Sequence, residues 1–372
     1  MGFLEEVNVK RTLFLVFSLI AVLGISAQPV PGSGMVKGPM GGEATKLTGA
    51  GATFPAVLYT KWFSDYVKLT KVEINYQAIG SGGGIKSISD MTVDFGASDG
   101  PMTDDQLKAA KGGALLHIPA AMGGVVPTYN LPELAGKANL KFTPDTLAGI
   151  YNGDITKWND PLLVADNPEL AAIDKYIAVV HRSDGSGTTN IWTSYLTAVN
   201  EKWAKETGAA NAVKWPVGLG GKGNEGVAGN VKQTPYTLGY VELAYAKQNK
   251  LPVGLVKNSS GNFIAANEDT VSQAAAGVEL PADMRVKLVN SSNPKAFPIA
   301  GFTWLLAYQT QTDAAKATAV TRMLWWATHD GQAYSSGLDY APLPVDAIKK
   351  AEVLIKSITV AGKPALPASI AK

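Results

Sequence analysis

Alternating and clustered apolar positions divide the chain into strands and helices that follow one another. Residues 71–79 (KVEINYQAI) alternate apolar and polar side chains, which predicts a strand, and the helical start GGGIKSIS follows at 82–89. A short strand at 93–98 then precedes a helix at 103–110, which Thr103 opens with acidic residues in its first turn. This alternation of strands and helices predicts an α/β fold.

The same alternation continues to the end of the chain. The elements predicted there are strands at 123–130 and 176–182, a helix followed by turns over 143–160, a strand and helix over 235–249, a strand at 296–309 and an amphipathic helix over 312–331 that Gly331 ends. We therefore expect mostly parallel sheets flanked by helices.

The N-terminal part follows a different pattern. Lys10 and Arg11 precede a short apolar run (LFLVFSLIAVLGISA), which is typical of a secretory signal peptide over residues 1–27. The run is shorter than the ~20 apolar residues that a membrane span needs, so we expect cleavage and a periplasmic protein, with an uncleaved anchor as the alternative. Residues 28–46 are rich in glycine and proline and predict a flexible tether before a folded part that begins at Leu47.

Composition limits the classes of function. The 372 residues are 46% hydrophobic and 17% charged, which is typical of a folded protein with a large core. The net charge is only +2 without a basic block, which argues against nucleic acid as a partner. Cysteine is absent and the three histidines lack metal-ligand spacing, so no metal and no cofactor is expected.

Three predicted helix starts share one chemical design of glycine and hydroxyl residues. They involve Thr53 and Phe54, then Ser81, which can cap its helix, and finally Ser186, Gly187 and Thr188. A helix start leaves up to four N–H groups unpaired, and its dipole favours an anion there. Each start alone is also explained as an ordinary helix cap, and the sequence does not show that the three converge.

Charged residues accompany these starts. Arg182 lies directly before the third start, and Asp184 could orient its planar guanidinium; a surface ion pair is the alternative. Asp99 lies at a predicted strand end, where open α/β sheets bind ligands, and an ordinary turn aspartate is the alternative. A carboxylate suits an anion pocket if the anion carries a proton, as hydrogen phosphate does near neutral pH and sulfate does not.

Several stretches, among them TGAGATFPAVLYTKW, IGSGGGIKSI, VDFGASDGPM and VVHRSDGSGTTNIWTSYL, resemble the periplasmic phosphate-binding proteins of Pst ABC transporters. The matching stretches run from about Leu47 to Pro344. The resemblance implies a two-lobe periplasmic binding protein fold with hinge crossover strands that closes over a dehydrated phosphate. It further implies that the phosphate contacts are made by Thr53, Phe54, Ser81, Asp99, Arg182, Ser186, Gly187 and Thr188. Asp99 then accepts the ligand's proton, and Asp184 orients Arg182.

The resemblance also sets expectations for organisation and partners. With the predicted crossover strands, it places lobe one at residues 47–127 plus 298–372 and lobe two at 128–297. A monomer that delivers inorganic phosphate to an inner-membrane ABC permease is expected. Gly82 departs from the family pattern, which often has a second hydroxyl residue there, and we expect it to loosen the second helix start. Gly100 departs as well, since Ala often follows the Asp.

A structural or secreted interaction protein stays open as one alternative, because the aromatic pairs Trp325–Trp326 and Trp62–Phe63 could supply a surface patch, although a helical core explains them better. Two other classes of function stay open as well. The first is a binding protein for another oxyanion, such as sulfate, molybdate or arsenate. The second is an exported phosphate-handling enzyme, which we do not expect, because Ser186 lacks the leading glycine of a nucleophile elbow and His181 has no nucleophile at a defined spacing. The glycine-rich stretch at 218–226 (GLGGKGNEG) lacks the spacing of a phosphate loop and predicts a turn that opens a helix near Asn224.

Overall fold

The fold consists of strands and helices that alternate along most of the chain, as the apolar pattern predicts. The computed structural model describes residues 36, 38–137 and 139–370. The predicted signal peptide at 1–27 lies outside the described residues. Within the described ranges, no helix has both the length and the apolar character that crossing a membrane requires.

The strands and helices of the described residues have the following bounds. The strands are β1 (Lys46–Gly51), β2 (Glu73–Ala78), β3 (Phe95–Ser98), β4 (Leu115–Asn130), β5 (Lys141–Phe142), β6 (Ala178–Arg182), β7 (Leu219–Gly221), β8 (Thr237–Glu242), β9 (Leu255–Lys257), β10 (Phe263–Ile264), β11 (Ala300–Tyr308), β12 (Thr310–Gln311), β13 (Thr359–Val360) and β14 (Lys363–Pro364). The helices are α1 (Ala56–Thr70), α2 (Ser81–Ser89), α3 (Asp104–Ala109), α4 (Pro144–Asn152), α5 (Pro161–Val164), α6 (Gly187–Val199), α7 (Glu201–Glu206), α8 (Gly223–Gln233), α9 (Leu243–Gln248), α10 (Glu268–Ala275), α11 (Ala314–Thr328) and α12 (Val345–Lys356). The predicted elements are present, most with ends shifted by a few residues, but β4 begins at Leu115, well before the predicted start at residue 123.

Eight strands form one sheet in the order β2-β1-β3-β11-β4-β8-β6-β7. The two ends are parallel, with β2, β1 and β3 at one end and β8, β6 and β7 at the other. The centre is antiparallel, because β11 runs against both β3 and β4, and β4 runs against β8. The predicted α/β class is confirmed, with an antiparallel centre that the apolar pattern did not indicate.

The long strand β4 connects the two halves of this sheet. Its first part, up to Gly124, pairs with β11, and its second part, from Val125, pairs with β8. A side chain at Gly123, just before this change of partner, would lie 2.5 Å from the ring of Phe54. Glycine therefore allows the loop before α1 to approach the centre of the sheet closely.

The core lies between the sheet and its covering helices. Leu58, Trp62 and Phe63 form the buried face of α1, as their helical spacing predicts. In α6 the buried apolar residues are Ile191, Trp192, Tyr195 and Leu196. Burial of each large apolar side chain contributes about 1.5–3 kcal/mol. This packing fixes the first turns of both helices against the sheet.

Residues 38–46 are packed against the fold and do not form a flexible tether. Glu43 is paired with Arg322 of α11, and only 2% and 1% of the two side chains is exposed. Arg322 Nη2 also donates to the carbonyl oxygen of Gly38 at 2.9 Å. The prediction of a tether over 28–46 therefore does not hold for residues 38–46, because their glycine-rich composition concealed a partner that lies far away in the sequence.

The predicted glycine stop of α11 is also wrong. The helix ends at Thr328, and His329 leaves the helical conformation with φ −120° and ψ −94°. The His329 ring nitrogen Nδ1 lies 2.8 Å from the carbonyl oxygen of Trp325, the acceptor that the next helical N–H would use. Gly331 lies in the short 3₁₀ helix Asp330–Tyr334 that follows.

Glu43→Gln tests the docking of the N-terminal segment. The substitution removes the Glu43 carboxylate from this buried ion pair, so we expect the free energy of unfolding in urea to fall by about 3–5 kcal/mol. The matched control is Glu73→Gln, whose ion pair with Lys46 is 66% and 78% exposed. The control should lose less than about 1 kcal/mol. Equal losses of unfolding free energy in both variants would contradict a stabilising role for the buried Glu43–Arg322 pair.

Candidate functional site

The three helix starts predicted from the sequence converge beside the centre of the sheet. The N–H of Gly82, at the second start, donates to the carbonyl oxygen of Gly185, before the third start, at 2.8 Å. Asn224 connects the first and third starts, because its Nδ2 donates to Thr53 Oγ1 at 2.8 Å and to Thr188 Oγ1 at 3.1 Å. These hydrogen bonds place N–H groups from opposite ends of the sheet around one point.

At the first start, two tyrosines fix the loop that precedes α1. Tyr245 donates to the carbonyl oxygen of Thr53 at 2.6 Å, and Tyr340 donates to the carbonyl oxygen of Phe54 at 2.7 Å. The Thr53 carbonyl and the Phe54 N–H belong to one planar trans peptide group and point in opposite directions. Tyr245 therefore holds the Phe54 N–H on the opposite side of that peptide. Pro55 follows and directly precedes α1.

At the second start, Ser81 does not cap its helix as the sequence predicts. Gly80 occupies the cap position with φ 88°, and a Cβ there would lie 2.2 Å from Asp184 Oδ2. The Ser81 hydroxyl oxygen instead accepts the N–H of Asp99 at 3.1 Å. The Ser81 hydroxyl group in turn donates to Asp99 Oδ2, with 3.4 Å between the two oxygens. Ser81 is therefore joined to the end of β3.

The two glycines that depart from the family pattern lie at close approaches. A Cβ at Gly82 would lie 3.0 Å from the Cα of Gly185, next to the hydrogen bond that joins the same two residues. A Cβ at Gly100 would lie 2.2 Å from Asn211 Oδ1. Gly82 thus brings the second and third starts together, which is the opposite of the loosening that we expected.

At the third start, Ser186 caps α6 as predicted. Its hydroxyl oxygen accepts the N–H of Thr189 at 3.0 Å. The N–H groups of Gly187 and Thr188 precede the first bonded N–H of the helix, and neither has a hydrogen-bond partner among the described residues. A Cβ at Gly187 would lie 2.6 Å from Asp99 Oδ2, so the first turn of α6 lies directly against that carboxyl.

Arg182, at the end of β6, is held by Asp184 in a two-point pair. Nε donates to Oδ1 at 2.8 Å and Nη2 donates to Oδ2 at 2.5 Å, while the Gly223 N–H also donates to Oδ1 at 3.0 Å. Burial acts to raise the pKa of Asp184, but the Arg182 contacts outweigh it and lower that pKa. The side chains are 1% and 13% exposed, so the alternative of a surface ion pair does not hold.

Asp99 is a buried carboxyl group with one free oxygen. The residue is 2% exposed, and Oδ1 has no hydrogen-bond partner among the described residues. Burial raises the pKa of Asp99 to about 7, although Thr303, the Arg182 charge and Ser81 act in the other direction. This environment differs from that of an exposed turn aspartate, and it places a proton acceptor beside unpaired N–H groups.

The hydroxyl oxygens of the site all accept hydrogen bonds from the protein. Each of the four hydroxyl oxygens already accepts a hydrogen bond from a protein nitrogen: Thr53, Ser81, Thr188 and Ser186. A hydroxyl group whose oxygen accepts in this way keeps its proton for another acceptor. With the N–H groups and one guanidinium, the site is rich in donors, and Asp99 is its acceptor. This chemistry suits a small oxyanion that carries a proton.

Sequence reasoning missed two groups that organise the site. Asn224 lies within the glycine-rich stretch at 218–226, which indicated a fourth helix start but not the role of the Asn224 side chain. The Tyr240 hydroxyl accepts the Arg182 N–H at 3.2 Å and lies 2.6 Å from Thr189 Oγ1. It lies within a buried strand whose apolar pattern gives no such signal. No group of three His, Asp or Glu side chains that could hold a metal ion occurs in the described ranges.

A family profile and individual relatives of known name point to the same protein family. The profile of the PBP superfamily domain matches residues 38–321. The chain is 43% identical to the phosphate-binding protein PstS of Pasteurella multocida over 317 residues, which are 85% of this chain and 91% of that protein. It is 44% identical to the phosphate-binding protein PstS of Haemophilus influenzae over 308 residues, with 82% and 91% covered.

A solved structure supports the same fold. It is that of PfluDING, a high-affinity periplasmic phosphate-binding protein bound with phosphate, and it matches with a TM-score of 0.69 and 22% sequence identity. The match covers 87% of this chain and 96% of that one. From these matches over most of its length, the chain belongs to the PBP superfamily and, within it, to the family of PstS phosphate-binding proteins.

Proposed function

We propose that the chain binds inorganic phosphate at the meeting point of the three helix starts and serves an ABC transporter as its phosphate-binding protein. The observation that carries the proposal is a buried, donor-rich site in which Asp99 is the acceptor. The two relatives described above are both named as phosphate-binding proteins, which supports the same ligand.

The proposed contacts divide the phosphate oxygens among the three starts. The proposed ligand-binding residues are Thr53, Phe54, Ser81, Asp99, Arg182, Ser186, Gly187 and Thr188. Arg182 contributes the positive charge, and its Nη1, which faces Thr188 Oγ1 at 3.4 Å, is the guanidinium nitrogen that the Asp184 pair leaves for a ligand. Asp184 acts through Arg182, because it fixes the plane of the guanidinium.

Selectivity for phosphate over sulfate follows from the proton that phosphate carries. A protonated phosphate oxygen donates to the Asp99 carboxylate, whereas sulfate carries no proton near neutral pH. Sulfate would place two acceptors face to face in a buried site, at a cost of roughly 2–5 kcal/mol. Phosphate is therefore favoured by a contact that is repulsive for its competitor.

We propose the lobe limits given by the sequence: residues 47–127 plus 298–372, and residues 128–297. The change of partner along β4 at Gly124 supports this division. The hydrogen bonds Gly82–Gly185 and Asn224–Thr53 then join the two lobes and represent a closed arrangement. Phosphate binding would stabilise these contacts, because the ligand touches both lobes.

The transport role is proposed on the same basis. The chain would act as an exported, periplasmic monomer that passes phosphate to an inner-membrane ABC permease, with the N-terminal signal cleaved or kept as an anchor.

We propose no enzymatic activity. The Ser186 oxygen is engaged as the cap of α6, and the Nδ1 atom of His181 lies 3.0 Å from the Arg182 carbonyl oxygen. A phosphatase assay of the purified chain tests this, and turnover that depends on Ser186 would support an enzyme.

Asp99→Asn tests the proton-reading role. The variant keeps the shape of the side chain but replaces one acceptor oxygen by an N–H donor, so sulfate no longer meets a repulsive contact. We expect the ratio of phosphate to sulfate affinity, measured by isothermal titration calorimetry at pH 8, to fall by at least about 30-fold. The control is Asp174→Asn, which removes an exposed aspartate paired with Lys157. An unchanged ratio in Asp99→Asn would exclude the proposed role.

The buried carboxyl also predicts a pH effect on stability without ligand. The folded pKa of Asp99, about 7, exceeds its ordinary value of 3.8, so the folded state holds an extra proton between these values. The stability from this group is present at low pH and is lost as the pH rises through about 7. We expect Asp99→Asn to gain roughly 2–3 kcal/mol relative to the unmodified chain between about pH 5 and pH 8 in urea unfolding. A pH-independent difference between the two would contradict the raised pKa.

A further inference from the structure

Three buried oxygen atoms beside the site lack a hydrogen bond of ordinary geometry. They are Asp99 Oδ1, Thr303 Oγ1 and the hydroxyl oxygen of Tyr59, and none has a partner among the described residues. Thr303 and Tyr59 are both 0% exposed. The Thr303 hydroxyl lies close enough to both the Asp99 carboxyl and the Tyr59 hydroxyl to lower the pKa of each group. Buried polar atoms without partners are rare, so three that adjoin one another call for a joint explanation.

The register of the sheet places Thr303 next to Asp99. In the antiparallel pair of β3 and β11, Trp304 lies opposite Ser98. The next position in this register brings Thr303 opposite Asp99, just past the end of β3. Neither side chain can turn to water, because both are buried. The contact between them is therefore set by the backbone.

An irregularity in the sheet occurs at the same position. On its other side, β11 pairs with β4, and the register shifts between Thr303 and Trp304 so that Ala120 of β4 has no partner. The Ala120 carbonyl oxygen instead accepts from Gln332 Nε2 at 2.8 Å. Such bulges change the direction of a neighbouring side chain and often lie near functional sites.

We propose that Thr303 is a positioning residue that determines selectivity: its hydroxyl group donates to Asp99 Oδ1 while it accepts from Tyr59, and so fixes the other oxygen of Asp99 toward the ligand's proton. This inference rests on the proposed function of the site. The direction of the chain, from Tyr59 through Thr303 to Asp99, follows because an ionised carboxylate only accepts. With Oδ1 accepting from Thr303, Oδ2, which lies against Gly187, is the oxygen left to face the ligand.

A pH test of Asp99 requires a substitution that leaves the other titratable groups around it unchanged. Five charged or titratable groups act on Asp99 or are acted on by it: Arg182 on β6, Glu242 on β8, Tyr59 on α1, Tyr76 on β2, and Tyr340, which holds the first start. Thr303 itself does not titrate. Its replacement therefore changes the behaviour of Asp99 without adding or removing a titrating group.

Thr303→Val tests the proposal, because valine keeps the shape of threonine and lacks the hydroxyl group. We expect phosphate affinity to fall about tenfold at pH 8 and the midpoint of its pH dependence to move upward, since the ionised carboxylate loses a donor. Thr303→Ser, which keeps the hydroxyl group, should return both quantities to within about twofold of the unmodified chain. In the Asp99→Asn background, Thr303→Val should have no further effect on phosphate affinity.

Tyr59→Phe supports the test without altering β11. It should weaken phosphate binding in the same direction by a smaller factor and move the pH midpoint the same way. The matched control is Thr321→Val, a buried threonine of α11 that donates to the Ala317 carbonyl oxygen away from the site. This control should change the unfolding midpoint only.

The outcomes separate the inference from the proposed function. If Asp99→Asn loses selectivity while Thr303→Val keeps the unmodified affinity and pH midpoint, the positioning role is overturned and the proposed function stands. If Thr303→Val weakens binding equally with and without Asp99, its effect is structural and the inference is overturned. A chain that binds no phosphate overturns both.

Discussion

A carboxyl group buried beside a pocket of hydrogen-bond donors is the constraint on which the rest of the site depends. Asp99 is 2% exposed, and burial raises its pKa to about 7. Such a group costs stability when it is ionised, unless a partner supplies a proton. The surrounding N–H groups cannot bind one another, and the four hydroxyl groups already accept from the protein. A protonated oxyanion supplies both missing partners, because its proton binds the Asp99 carboxylate and its other oxygens accept from the N–H and hydroxyl groups.

The fold brings these groups together through the centre of its sheet. β3 delivers Asp99, β6 delivers Arg182, and the starts of α1, α2 and α6 deliver the donors. These elements come from opposite parallel ends of the sheet, and in the described part of the chain the antiparallel strands β4 and β11 lie between the two ends and join them. Side chains that hold the site, such as Asn224 and Tyr245, reach across from the other end. The same long strands that give the sheet its continuity therefore also position the site.

Much of this arrangement could be predicted from local pattern. The apolar alternation located the strands and helices, and the Ser186 cap and the Arg182–Asp184 spacing indicated groups that the structure places together. What depends on distant contacts could not be predicted. The partner of Glu43 lies in α11, Gln332 donates to the carbonyl oxygen of Ala120 at the bulge opposite Thr303, and Ser81 bonds to Asp99 instead of capping its own helix. Each of these is a contact between residues far apart in the sequence, and none leaves a periodic signal.

The most direct test of the account is a high-resolution crystal structure of the chain with phosphate. The account predicts one phosphate among the three helix starts, in contact with Arg182 and the N–H groups of Gly187 and Thr188. One of its oxygens should lie about 2.5–2.7 Å from Asp99 Oδ2, the length of a hydrogen bond between a hydroxyl group and a carboxylate. A phosphate bound elsewhere, or one whose oxygens all avoid Asp99, would contradict the account.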